Sequence, residues 1–96
     1  MANYTVNRSK YATLAANTAD KVIFTSRPKS VELRNFSSTA VIFYRIDDTS
    51  PTVSGDDTYR LGPNETVEID FLNWVEPPQV GLISSGTPAY SVTAIA

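Results

Sequence analysis

Hydrophobic and polar positions alternate in short runs along the chain, and the run over 31–46 is the most informative. In V-E-L-R-N, Val31, Leu33 and Asn35 share one face while Glu32 and Arg34 share the other, the period-two signature of a strand buried on one side. The following A-V-I-F-Y-R-I is apolar on both faces, Val41 and Phe43 alternating with Ile42, Tyr44 and Ile46. Such a strand belongs in the middle of a sheet that is covered twice. With the polar F-S-S-T between them, the two runs are expected to form an antiparallel hairpin.

Further strands are predicted over 10–16, 21–26, 58–61, 66–71, 79–84 and 89–95. Val67, Ile69 and Phe71 alternate against Thr66, Glu68 and Asp70, and Tyr90, Val92 and Ala94 share a face. Pro28 interrupts the chain after 21–26, and L-G-P-N-E over 61–65 reads as a tight turn with Pro63 and Asn64 in its centre. D-D-T-S-P-T-V-S-G-D-D over 47–57 is a long loop of turn formers. About eight strands, spaced roughly ten residues apart, predict an all-β antiparallel β-sandwich, jelly-roll-like or Ig-like. Its expected core is Val22, Phe24, Leu33, Val41, Phe43, Val67, Ile69, Phe71, Val80, Leu82 and Val92.

Beyond Met1 and Ala2, residues 1–9 are polar apart from Tyr4 and Val6; the segment 1–9 reads as an N-terminal arm or a first edge strand, with 10–96 forming the single sandwich domain. As an arm, Asn3, Tyr4, Thr5 and Val6 are candidate partner contacts, able to add as a strand to a neighbour's sheet edge. Trp74 is the sole tryptophan. Lying ahead of Pro77-Pro78, it reads either as a plug at one end of the sandwich or as an anchor for a partner. The doubly apolar strand asks for cover that so small a domain rarely supplies, which points to a homo-oligomer.

Composition narrows the classes of function. At 96 residues and 42% hydrophobic the chain is one globular domain. It has no cysteine, and its first residues form no apolar signal segment, so assembly in a reducing cytoplasm is the expectation. No run approaches the ~18 apolar residues of a membrane span, so no membrane partner is expected. Eight scattered basic residues are diluted by ten acidic ones, which argues against nucleic acid, whose binders concentrate positive charge on one face. Without His or Cys, zinc sites of the usual kind, thiol chemistry and His-based acid–base catalysis are excluded.

The remaining chemistry reads as structural. Asp47-Asp48 and Asp56-Asp57 flank one loop and supply hard oxygens of the kind Ca²⁺ takes. Their spacing fits no known calcium loop, and a solvated turn explains them, so no metal or cofactor is expected. Glu68 and Asp70 share a strand face, as paired catalytic carboxylates do; outward acids with Arg34, Arg45 and Arg60 as cross-strand partners are the simpler account. Ser37, Ser38, Ser84 and Ser85 sit in neither a G-x-S-x-G nor an S-x-x-K arrangement, and turn chemistry accounts for them. No enzyme is expected.

Over about residues 30–96 the order of blocks resembles the small accessory capsid proteins of tailed bacteriophages, especially those of decoration or cement type. The blocks are V-E-L-R-N-F-S-S-T-A-V-I-F-Y-R-I, P-T-V-S-G-D-D-T-Y-R-L, L-G-P-N-E-T-V-E-I and G-L-I-S-S-G-T-P-A-Y-S-V-T-A-I. The resemblance implies a β-sandwich present in many copies on the capsid surface of a virion, where it clamps neighbouring major capsid proteins; a trimer around a symmetry axis is part of that implication. Virion β-sandwiches of necks, tails and fibres share such patterns. A carbohydrate-binding module is the other non-enzymatic class that a jelly roll suits.

Overall fold

A computed structural model describes residues 2–25, 28–46, 50–56, 58–70 and 78–95. Among them are nine strands and no helix: β1 (Ala2–Val6), β2 (Ser9–Thr13), β3 (Asp20–Phe24), β4 (Ser30–Asn35), β5 (Ile42–Arg45), β6 (Tyr59–Leu61), β7 (Thr66–Asp70), β8 (Gln79–Ile83) and β9 (Ala89–Ile95). They form a five-stranded sheet in the order β1-β3-β8-β5-β6 and a four-stranded sheet in the order β2-β9-β4-β7.

Antiparallel pairing follows a nested rule: β2 with β9, β3 with β8, β4 with β7, β5 with β6. The chain is therefore one long antiparallel ribbon folded over on itself. The ladders β4–β9 and β5–β8 fasten the two halves of each sheet. This is the strand order of a jelly roll, so of the two expected sandwiches it is the jelly roll that forms. Only β1 departs from the rule, running parallel to β3 at the sheet edge.

Facing side chains of the two sheets make one core, which includes Val22, Phe24, Val80 and Leu82 from one and Val31, Leu33, Tyr90 and Val92 from the other. The alternation in β4 predicted its buried face correctly, and Val67 and Ile69 pack against the core from β7. Residues 62–65 make the expected turn: the Glu65 N–H donates to the Gly62 carbonyl at 3.1 Å, and Asn64 takes the left-handed conformation at φ 60°. Strand β8 is buried along its whole length. Its outer side is covered at Gly81, where a Cβ would come within 2.9 Å of the Pro51 ring, so the long loop can lie this close only over glycine.

Two expectations are corrected. The segments 31–35 and 41–46 are not a hairpin, because β4 belongs to the four-stranded sheet and β5 to the five-stranded one. Residues 36–41 carry the chain from sheet to sheet. The reason is local: the buried Asn35 side chain donates from Nδ2 to the carbonyls of Ala40 at 2.8 Å and Gly62 at 3.1 Å. It also accepts the Ser37 N–H at 2.9 Å. The chain is thereby bent over the end of the sandwich instead of back along β4.

The second correction concerns β5, whose inward residues are Ile42 and Tyr44, both buried, and not Val41 and Phe43, which are half-buried and outside the core. Both sets are apolar, so alternation alone cannot choose a face. The ladder does, placing Ile42 opposite Leu61 and Tyr44 opposite Leu82. Phe71, expected in the core, lies outside the described residues.

Candidate functional site

Among the described residues, the outer face of the four-stranded sheet brings exposed aromatic and charged side chains together. Register defines its rows. Tyr11, Ser91, Arg34 and Thr66 are neighbours across the sheet, and the next row along the strands is Ser9, Thr93, Glu32 and Glu68. Tyr11 is 64% exposed and Phe36, just beyond the end of β4, 39%. Their ring centroids are 5.2 Å apart in a tilted arrangement, a favoured aromatic geometry. The Arg34 guanidinium lies 5.0 Å over the Phe36 ring, within cation–π range.

Sequence reasoning singled out neither Tyr11 nor Phe36. In β2 the usual sense is reversed, since the half-buried side holds Lys10 and Ala12 while Tyr11 faces water. Lys10 is tolerated there because its ammonium lies 4.2 Å over the Tyr4 ring. An inward-pointing charge of this kind also discourages foreign strands from adding to an edge.

The candidate residues of the N-terminal segment take up the edge-strand form. Tyr4 and Val6 pack against this chain's own core, whereas Asn3 and Thr5 face outward and exposed. Trp74 lies outside the described residues, as do Asp47, Asp48 and Asp57. Glu68 stands directly opposite Glu32 and accepts the Ser30 hydroxyl at 3.2 Å, while Asp70 is opposite Ser30. Of the expected arginine partners, Arg34 is opposite Thr66 on this sheet, and Arg45 and Arg60 belong to the other. Two of the serines serve turns as read: Ser37 Oγ accepts the N–H groups of Thr39 and Ala40, and Ser84 Oγ accepts the Gly86 N–H at 3.1 Å while donating to the Val41 carbonyl at 2.7 Å.

Elsewhere two features stand out. Tyr44 and Tyr59 stack with centroids 5.4 Å apart and, with Ile46 and Ile69, line an apolar recess of about 210 Å³ where the sheet edges β6 and β7 face each other. Inside the sandwich, the fully buried Tyr90 donates its hydroxyl to Asp20 at 2.9 Å. Burial, then the hydrogen bond to Asp20 and its charge, push the Tyr90 phenol far above its ordinary range. Tyr44 is raised as well, by burial and then by Tyr59 and Glu65.

A phenol held protonated in the fold contributes fully below its unfolded value near 10 and loses that contribution as pH rises beyond it. Stability is therefore expected to fall by about 1.4 kcal/mol per pH unit above pH 10 through Tyr90 alone. Guanidinium midpoints measured between pH 8 and 11.5 check this; a flat profile that persists above pH 10 contradicts it. Comparison of the chain with family models, with curated proteins and with solved structures finds no match.

Proposed function

We propose that the chain is a non-enzymatic virion structural protein of decoration or cement type, which binds the outside of a phage capsid and stabilises it through protein–protein contact. The major capsid protein is its partner, the capsid surface its place in the virion, and the host cytoplasm its place during assembly. The observation that carries the reading is the exposed Tyr11–Phe36–Arg34 group on one sheet face. Tyr and Arg are the side chains that dominate protein-binding hot spots, and a regular sheet holds them rigidly. The block order over 30–96 and the jelly-roll strand order support it from the side of fold.

A sugar-binding face is the competing reading, since exposed rings beside hydroxyls also suit glycans. One face of Phe36 is already taken by Arg34 and its flank by Tyr11, which among the described residues leaves Tyr11 as the one open ring on this surface. That favours a protein partner. The edge of β1, unpaired among the described residues and with Asn3 and Thr5 exposed beside it, offers a second contact by strand addition.

The test is quantitative mass spectrometry of purified virions from the phage that encodes the chain. Its peptides are expected in a fixed ratio to the major capsid protein, and its removal is expected to lower the temperature at which the shell breaks. Absence from particles, with the protein abundant in the lysate, sinks the proposal. A fixed ratio to a neck, tail or fibre protein instead reassigns the chain to that part of the virion.

A further inference from the structure

We propose that the outer face of the four-stranded sheet is closed by a second copy of this chain, related by a two-fold axis that crosses the strands between the Arg34 row and the Glu32 row. The inference rests on reading this face as a protein-binding surface; it gives the face to a second copy and leaves contact with the capsid to the β1 edge.

The face is divided by charge. One half holds Tyr11, Phe36 and Arg34; the other holds Glu32, Glu68 and Asp70. Within one copy the division is unfavourable. Glu32 and Glu68 are directly opposite, and like charges so placed destabilise a sheet. The Arg34 guanidinium leans along the strand onto Phe36, on the side away from those carboxylates.

A two-fold axis across the strands reverses the order of rows while each strand stays over its counterpart. The row Tyr11–Ser91–Arg34–Thr66 then lies over the partner's row Ser9–Thr93–Glu32–Glu68. Arg34 meets Glu32 twice by symmetry, and the hydroxyls of Ser91 and Thr93 meet each other between them. The next rows out bring Ala89 against Ile95 and set Phe36 over Ser30, which is buried within its own copy beside the exposed Asp70; the rows are fixed by the pairing of Ser30 with Ile95 and Asp70 and by the Phe36 N–H bond to Ala89. Across the axis, cation meets carboxylate. An axis along the strands instead sets Arg34 over Ser91 and leaves both glutamates without a cation. A self-complementary patch of this kind is what an isologous dimer requires.

The footprint sets the strength. Four strands ~4.8 Å apart and four rows ~6.8 Å apart cover roughly 500 Å² per copy. About 1,000 Å² in total is the lower bound of specific interfaces. The dimer is therefore weak in isolation, with a dissociation constant expected in the range of roughly 10–500 μM, and salt-sensitive because its ion pairs lie near solvent.

Sedimentation equilibrium of the purified full chain from ~10 μM to ~1 mM is the test, with Arg34→Glu, Glu32→Arg and their equimolar mixture. Wild type is expected to dimerise with concentration and less so at 0.5 M salt. Each reversal alone, setting like charges face to face, weakens the dimer at least tenfold. The mixture, which sets acids at positions 32 and 34 of one copy against arginines at positions 34 and 32 of the other, restores it. Far-UV spectra and thermal midpoints verify that each variant folds. Should a reversal unfold the chain, Arg34→Gln and Glu32→Gln carry the test, and each is expected to weaken the dimer and flatten its salt dependence. A wild type that stays monomeric to 1 mM overturns the proposal and leaves a shell protein or a glycan as the occupant; so do neutral variants that dimerise unchanged, or a folded mixture that stays apart. These measurements contain no virion, so their failure leaves the virion assignment standing, and absence from virions leaves the dimer standing.

Discussion

Asn35→Ala is expected to destabilise the fold by about 3–5 kcal/mol, the sum of several buried groups left without partners at ~1–3 kcal/mol each. Asn35 is 1% exposed, and its amide is a small hub. It donates to the carbonyls of Ala40, Leu61 and Gly62 and accepts the Ser37 N–H. Two of those carbonyls terminate β6 in the opposite sheet, so one side chain ties the sheets together at this end. A domain of this length holds only ~5–14 kcal/mol in all, which makes the loss a large fraction of the total. Urea or guanidinium unfolding of the two proteins measures it. Asn35→Asp keeps the volume but, when ionised, cannot donate, and is expected to be no better than alanine. A loss under 1 kcal/mol for both variants would show that these loops do not depend on the amide.

Ile42→Ala is expected to cost ~2–5 kcal/mol, the usual range for truncating a buried aliphatic side chain, and Phe43→Ala distinctly less. Ile42 has no exposed surface and faces the core beside Leu61. Phe43 is larger but half-buried on the outer side of its sheet, where less area leaves water. The order of the two effects reports the register of β5 directly, because a one-residue slip exchanges the two faces. Chemical denaturation of both variants decides it. If Phe43→Ala proves the costlier, the inward face is the one carrying Val41 and Phe43.

How far the chain announces this structure depends on how unequal the two faces of each strand are. In β4, Val31, Leu33 and Asn35 against Glu32 and Arg34 leave no choice, and β9 is similarly plain with Tyr90 and Val92. From Val41 through Tyr44 every residue is apolar, so the face of β5 is decided by ladder partners some twenty and forty positions away, which alternation cannot see. The same limit hid the sheet change between β4 and β5. A polar F-S-S-T suits a hairpin and a crossover alike, and the deciding atom is the buried Asn35 amide. The exposed aromatic group was obscured for another reason. Tyr11 looks like a core residue and Lys10 like a surface one; their exchange of roles depends on the Tyr4 ring, contributed by a strand of the other sheet. Asn3, Tyr4, Thr5 and Val6 were legible as an extended segment with two apolar positions, but whether those positions serve this chain or a neighbour is a matter of packing.

The nested ribbon also governs how the chain comes to exist. Of the antiparallel pairs, β5 with β6 is the local one, whereas Ser9 must wait for Thr93 and Val31 for Ala94. The entropic cost of closing such loops grows with their length, and non-local pairing of this kind is slow. Strand β9 completes both β2 and β4, so at roughly 5–20 residues per second of synthesis β4 stands unfinished for about 3–12 s before its second neighbour has been made. Through that interval the apolar face of β4 and its open edges belong to a nascent chain rather than a sandwich. The stage that most needs protection from aggregation, by chaperones or by the charges set along its edges, is therefore the ribosome-bound one.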